Sequence, residues 1–231
     1  MKETIYTIPI NEAFDRKHGC PICKLIGDLE KSSLEYVMGA AMMEPDVRIE
    51  TNRLGFCSKH LNAMFEMNNR LGLALILESH LGELCDKLYE LPDRPNADKT
   101  AKSFDELKNS CFVCSRIETQ AQKMLNNIVY LWQSSTEFRE KMREQPFYCP
   151  THLAMLAATA KSELNRKDAS AFIYSTTSVT RNYVDAIRYE VSGFVKSFDH
   201  RNAGVALDER TKTSVERAVS FLNGKYIPDE K

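Results

Sequence analysis

Four short cysteine-containing pairs constrain this chain more than anything else in it. Cys20 and Cys23 are followed by Cys57 and His60, and Cys111 and Cys114 are then followed by Cys149 and His152. The gap between pairs is 33 residues in the first series and 34 in the second, and the second series repeats the first at offsets of 91 and 92. One Cys-x-x-Cys alone is compatible with a buried apolar pair. Four pairs in a repeated order point to metal ligation. The expectation is a duplicated helical scaffold with two Cys3His sites. One site is Cys20, Cys23, Cys57 and His60, and the other is Cys111, Cys114, Cys149 and His152. Equal spacing favours pairing within a copy. Pairing across copies, Cys20/Cys23 with Cys149/His152, supplies the same donor types and stays open.

Thiolate and imidazole donors suit zinc in tetrahedral geometry, and four protein ligands close the coordination sphere. Two structural Zn2+ ions per chain are therefore expected. An iron–sulfur cluster with one histidine ligand is the minor alternative. A thioredoxin-like dithiol lacks its strand–helix setting here. Each pair falls at the start of an expected helix, so each site joins two helix N-termini. A zinc ion with three thiolates carries a formal charge of −1, which each helix N-terminus stabilises by about 0.3–1 kcal/mol. Structural zinc contributes ~10–16 kcal/mol of apparent binding free energy, against ~5–15 kcal/mol for the net stability of a whole domain. Loss of either site is expected to cripple its part of the protein.

Six of the seven cysteines belong to the two series. The remaining one, Cys85, lies on an apolar helix face and reads as a small core residue. The helical pattern continues through most of the chain. Apolar positions recur at helical spacing from Cys20 to Met43, from Phe56 to Glu90, from Cys111 to Trp132 and from Ala169 to Phe198. Short helices are expected over Asp46–Arg53 and Thr136–Glu144. Residues 3–10 alternate polar and apolar and contain Pro9, so they read as a short extended arm, followed by a short helix capped by Asn11. The fold class is all-α, with the duplicated repeats packed as one body. The expected divisions are a first repeat at 1–90, a linker at 91–103 with two prolines, a second repeat at 104–200, and a docking helix and tail at 201–231. Asp208 caps that last helix and Asn223-Gly224 ends it. Val215, Ala218, Val219 and Leu222 form its docking stripe, and 225–231 reads as frayed.

With 31 basic and 32 acidic residues, nothing in the net charge favours nucleic acid or an anionic membrane as partner. The opening residues lack a signal-peptide pattern, and the most apolar run, Leu71 to Leu77, is too short to span a bilayer. The cytoplasm is the expected location. No Gly-rich phosphate loop, nucleophile elbow or His-Glu-x-x-His motif is present, so no catalytic residue is assigned and the reading leans away from an enzyme. A lesser candidate is a ligand pocket around Asn69, Arg70, His80 and Glu83. His80 and Glu83 are three apart and share a helix face. The bland reading of these residues is a satisfied histidine among solvated neighbours.

The segments Tyr6–Phe14, Cys20–Cys23, Met43–Arg48, Cys57–His60 and Asn69–Ala74 together resemble an uncharacterised bacterial family, a helical domain of unknown function. The second series fits the same pattern. The resemblance implies a single integrated protein and brings no catalytic residue. The expected task is therefore binding or regulation, with a protein or a small molecule as partner. A thiol-based redox or metal sensor that releases zinc on oxidation is the alternative. An enzyme with a pocket between the repeats ranks below both.

Overall fold

The computed structural model describes residues 5–199, 201 and 206–224, and among these the chain is helical with no strand. The first elements are α1 (Thr7–Asp15), α2 (Pro21–Met38), a 3-10 turn (Ala40–Met43), α3 (Pro45–Leu54), α4 (Ser58–Glu66) and α5 (Arg70–Tyr89). There follow α6 (Ala97–Lys108), α7 (Phe112–Ser134), α8 (Thr136–Arg143), α9 (Pro150–Glu163), α10 (Arg166–Ser197), α11 (Glu209–Lys212) and α12 (Ser214–Asn223). The frayed tail expected at 225–231 lies outside the described residues.

The chain divides into two compact units, and the boundaries differ from the expected ones. The first unit takes Met1–Gly27 together with Gln122–Lys231, and the second takes Asp28–Ala121. The divisions fall inside α2 and α7, not in the stretch 91–103. Within that stretch residues 91–96, which include both prolines, are non-helical, and Ala97 onward is helical. The Asn96 side chain accepts a hydrogen bond from the Lys99 amide at 2.9 Å and so starts α6. The polar residues from Asn96 to Ser103 are the cap and outer face of a helix.

In the first unit the core is built from Ile10, Phe14, Leu125, Ile128, Tyr148, Leu156 and Phe172, all under 2 % exposed. Phe14 packs on Phe138 with ring centroids 5.0 Å apart, and Trp132 packs edge-on against Phe172 at 5.3 Å. The buried Tyr148 hydroxyl donates to the Met142 carbonyl at 2.8 Å, which satisfies its one polar atom. The expected extended arm is helical from Thr7 onward. Pro9 sits in the first turn of α1, where its missing N–H costs nothing. Thr7, Ile10, Ala13 and Phe14 make the buried face. Alternation over so short a stretch also fits one side of a helix.

In the second unit Val37, Met38, Met64, Leu73, Ile76, Cys111 and Val113 form one buried cluster. The expected single helix from Phe56 to Glu90 is two helices. Asn68 takes a left-handed backbone conformation (φ +59°). Asn69 then caps α5, with its side-chain oxygen accepting from the Gly72 amide at 3.0 Å. Cys85, expected in the core, is exposed. Its neighbours Leu81 and Leu88 are more than half exposed as well, so this end of α5 buries little.

The C-terminal helices dock by another face than expected. Val215, Val219 and Leu222 are exposed, while Ser214 and Phe221 are buried. Phe221 stacks against Phe147 and Tyr183, with centroids at 5.2 Å and 5.4 Å. Glu190 of α10 pairs with both Arg210 and Arg217, which ties α11 and α12 to α10. Asp208 does cap α11, accepting from the Thr211 amide at 2.7 Å.

Candidate metal centres

Each of the four sequence pairs starts a helix in the same way. Cys20, Cys57, Cys111 and Cys149 stand immediately before α2, α4, α7 and α9. Cys23, His60, Cys114 and His152 sit three residues later in the first turn, so both donors of a pair face one point beyond the helix end. At Cys111 the thiol also acts as a helix cap, its sulfur 3.5 Å from the Cys114 amide. Pro21 and Pro150 occupy the first helical position, where the absent N–H is no loss.

The structure assembles these pairs into two groups of four donors, each with all ligand atoms within 4.8 Å of one another. One group is Cys20, Cys23, Cys149 and His152, wholly in the first unit. The other is Cys57, His60, Cys111 and Cys114, wholly in the second. The donor composition is the expected Cys3His, but the partners are exchanged relative to pairing within a copy. Cys20/Cys23 does not meet Cys57/His60, and Cys111/Cys114 does not meet Cys149/His152.

The pairing in the second unit is held by backbone contacts: the segment Leu54–Gly55 just before Cys57 accepts hydrogen bonds from Ser110 and Phe112, on either side of Cys111.

The distances fit a single ion in each group. A tetrahedral centre with bonds of ~2.3 Å to sulfur and ~2.0–2.1 Å to nitrogen has S–S edges of about 3.8 Å and S–N edges of about 3.6 Å. The S–S separations are 3.6 Å for Cys23–Cys149 and 3.9 Å for Cys57–Cys114, and all seven cysteines are free. His152 Nδ1 lies 3.6, 3.2 and 3.1 Å from the sulfurs of Cys20, Cys23 and Cys149. His60 Nδ1 lies 3.2, 3.3 and 3.4 Å from those of Cys57, Cys111 and Cys114. In both groups Nδ1 is the nitrogen turned to the sulfurs.

Three clustered thiols cannot all ionise without a cation between them. In the first unit, hydrogen bonds from Cys20 and Cys23 hold Cys149 well below the ordinary thiol range, while those to Cys149 and Cys20 push Cys23 far above it. Burial lowers the His152 pKa, but hydrogen bonds to Cys149 and Cys20 outweigh it and raise the value to about 9. In the second unit, desolvation and the neighbouring Cys111 push Cys114 up to about 12. Burial leaves His60 below the ordinary imidazole value, although Glu30 pulls the other way. A divalent ion resolves this conflict by supplying the missing positive charge.

The surroundings of the two groups differ. Cys20, Cys23, Cys149 and His152 are all buried, at 0–5 % exposure. The end of α12 covers them. Gly224 there takes φ +62°, its carbonyl oxygen is 3.0 Å from Cys23 Sγ, and a Cβ on it would stand 3.1 Å from Cys149 Sγ. In the second group His60 and Cys111 are buried, Cys57 is half-buried and Cys114 is exposed. His60 Nε2 donates to Glu30 Oε1 at 3.1 Å, and Lys59 Nζ reaches the same oxygen at 2.6 Å. A carboxylate behind a ligating imidazole fixes its tautomer and orientation. The Ser110 hydroxyl donates to the Leu54 carbonyl at 2.6 Å and the Phe112 amide to the Gly55 carbonyl at 2.9 Å, which joins the end of α3 to the start of α7.

The chain belongs to a family of unknown function, DUF6062. The family model matches residues 1–229. No curated protein and no solved structure matches the chain.

Asn69, Arg70 and His80, expected near a ligand pocket with Glu83, each make local contacts. Asn69 caps α5 and donates to the Met38 carbonyl at 3.0 Å. Arg70 stacks over Phe65 at 3.9 Å. His80 Nδ1 donates to the Asn52 carbonyl at 3.0 Å and its ring packs over Gly55, while Glu83 is exposed. Two residues in contact with the candidate metal groups, Glu30 and Gly224, carry no spacing signal in the sequence. Gly224 is legible only as a helix stop. No described helix is long and apolar enough to cross a membrane.

Proposed function

We propose that each Cys3His group holds one zinc ion in a closed structural site, and that the protein is a cytosolic binding or regulatory scaffold held in shape by these two ions. The observation that carries this reading is the convergence of four soft donors from two helix starts in each group. Four protein ligands leave no open position for substrate or water, which argues against catalytic metal. Donors mutually within 4.8 Å suit one ion, where a multi-iron cluster standing between its ligands would hold the sulfurs further apart. The binding role draws support from exposed apolar helix faces, such as Val215, Val219 and Leu222 on α12. The near-neutral net charge argues for a protein or small-molecule partner over nucleic acid. Elemental analysis of protein purified without added metal tests the reading. Two zinc ions per chain support it, and metal-free protein with reduced thiols overturns it.

A further inference from the structure

We propose that the second-unit site is an oxidant-releasable metal site, in which hydrogen peroxide joins Cys57 and Cys114 in a disulfide and frees the ion, while the first-unit site keeps its own. This rests on the reading that both groups hold zinc.

Access and distance separate the two sites. Peroxide must touch a sulfur to oxidise it. In the first unit Cys149 is 0 %, Cys20 3 % and Cys23 5 % exposed, and Gly224 lies against two of these sulfurs. In the second unit Cys114 is exposed and Cys57 half-buried, and their sulfurs are 3.9 Å apart. A disulfide needs ~2.05 Å, so the two side chains must close a gap of about 1.9 Å, and the exposed Cys114 side has room to turn. The other two donors, Cys111 and His60, are buried and stay behind.

The chemistry balances. The Cys114 thiolate attacks one peroxide oxygen. An S–O bond forms, the O–O bond breaks, and the departing hydroxide takes up a proton to become water. The Cys57 thiolate then attacks the Cys114 sulfenic acid. The S–S bond forms, the S–O bond breaks, and a second hydroxide leaves and is protonated. The sum is two thiolates, one peroxide and two protons giving one disulfide and two waters. Two electrons pass from sulfur to oxygen, and the zinc keeps its charge. It retains only Cys111 and His60 as protein ligands and is lost to a chelator. The starts of α4 and α7, which the ion joined, are then joined by the disulfide, so one cross-link replaces another.

The test uses full-length protein carrying Cys85→Ala, which removes the one exposed thiol outside the two groups. The protein is loaded to two zinc ions per chain and treated with hydrogen peroxide beside a chromogenic zinc chelator. The expected result is release of one zinc per chain. Non-reducing peptide mapping then shows a Cys57–Cys114 bridge, with Cys20, Cys23 and Cys149 still alkylatable after denaturation. Thiol reductant and zinc restore the second ion. In a Cys57→Ser variant, a sulfenic-acid probe labels Cys114, and the mapping of the parent protein stands by itself if this variant does not fold. Release of no zinc, release of both ions together, a Cys111–Cys114 bridge, or oxidation at the first-unit cysteines overturns the proposal. Protein that cannot be loaded to two ions overturns the zinc reading and the proposal together, whereas loaded protein with unselective release overturns this proposal alone.

Discussion

The two candidate metal groups share a donor set and a way of being built, yet sit in different surroundings. In both, a Cys-x-x-Cys and a Cys-x-x-His each start a helix, and the histidine turns Nδ1 to the sulfurs. The first-unit group is buried, with Gly224 at the end of α12 against two of its sulfurs. The second-unit group leaves Cys114 exposed, and it holds its histidine from behind with Glu30. The same four ligands can thus serve a locked site or an open one. The choice lies in residues outside the ligand set.

The largest effect that separates the sites is expected from substitution of a ligand in the sealed one. Cys149→Ser removes one donor and leaves two buried thiols and an imidazole in conflict, and it is expected to cost on the order of 5 kcal/mol or more. Chemical denaturation should show the loss, and metal analysis should show one zinc remaining. Cys114→Ser places its hydroxyl in solvent and is expected to cost less. Equal losses for the two variants would erase the distinction between the sites.

Glu30→Ala comes next. It removes the partner of His60 Nε2, and the loss of such a partner weakens metal affinity by about 10–100-fold. Competition with a graded chelator series reads this at the second site, with the first site unchanged. Gly224→Ala makes the converse change. Its left-handed backbone costs a side chain about 1–2 kcal/mol, and the new Cβ presses on Cys149 Sγ. The expected result is weaker zinc at the first site only.

The smallest effect concerns how the lid of the first site is held. Burial raises the Glu190 pKa, but hydrogen bonds and charge from Arg217 and Arg210 outweigh it and hold the carboxyl below its ordinary value of 4.5. A depressed carboxyl pKa stabilises the fold above the unfolded value, and the contribution is lost as pH falls through the folded value. Stability of the α11–α12 docking is therefore expected to fall below about pH 4.5. Glu190→Gln should remove that acid dependence at a cost of about 1–2 kcal/mol at neutral pH. An unchanged pH profile in this variant would mean that another contact holds the lid.

Much of this was legible in the residues and some was not. The eight donors, the helix starts they occupy and the all-α class follow from spacing and periodicity alone. The partner choice does not, because exchanging the two Cys-x-x-His pairs leaves the donor types unchanged. Contacts between distant segments, such as those of Leu54 and Gly55 with Ser110 and Phe112, accompany it, and they act only through space. The break between α4 and α5 did have a local signal in Asn68-Asn69, a left-handed residue followed by a cap. Gly224 had none as a neighbour of the metal group, since it stands 201 positions from the Cys23 it touches. The buried face of α12 was hidden too, because one aromatic residue, Phe221, outweighs three aliphatic ones in docking.

The sorting of the ligands is the central claim, and one measurement tests it directly. A chain carrying Cys23→Ser and Cys149→Ser together loses two donors of one site if α2 pairs with α9, but one donor from each site if pairing runs within the series. Elemental analysis of this variant, purified without added metal, is expected to find one zinc ion per chain, with Cys57, Cys111 and Cys114 protected from alkylation. Loss of both ions, with those three thiols freely alkylated, would contradict the assignment.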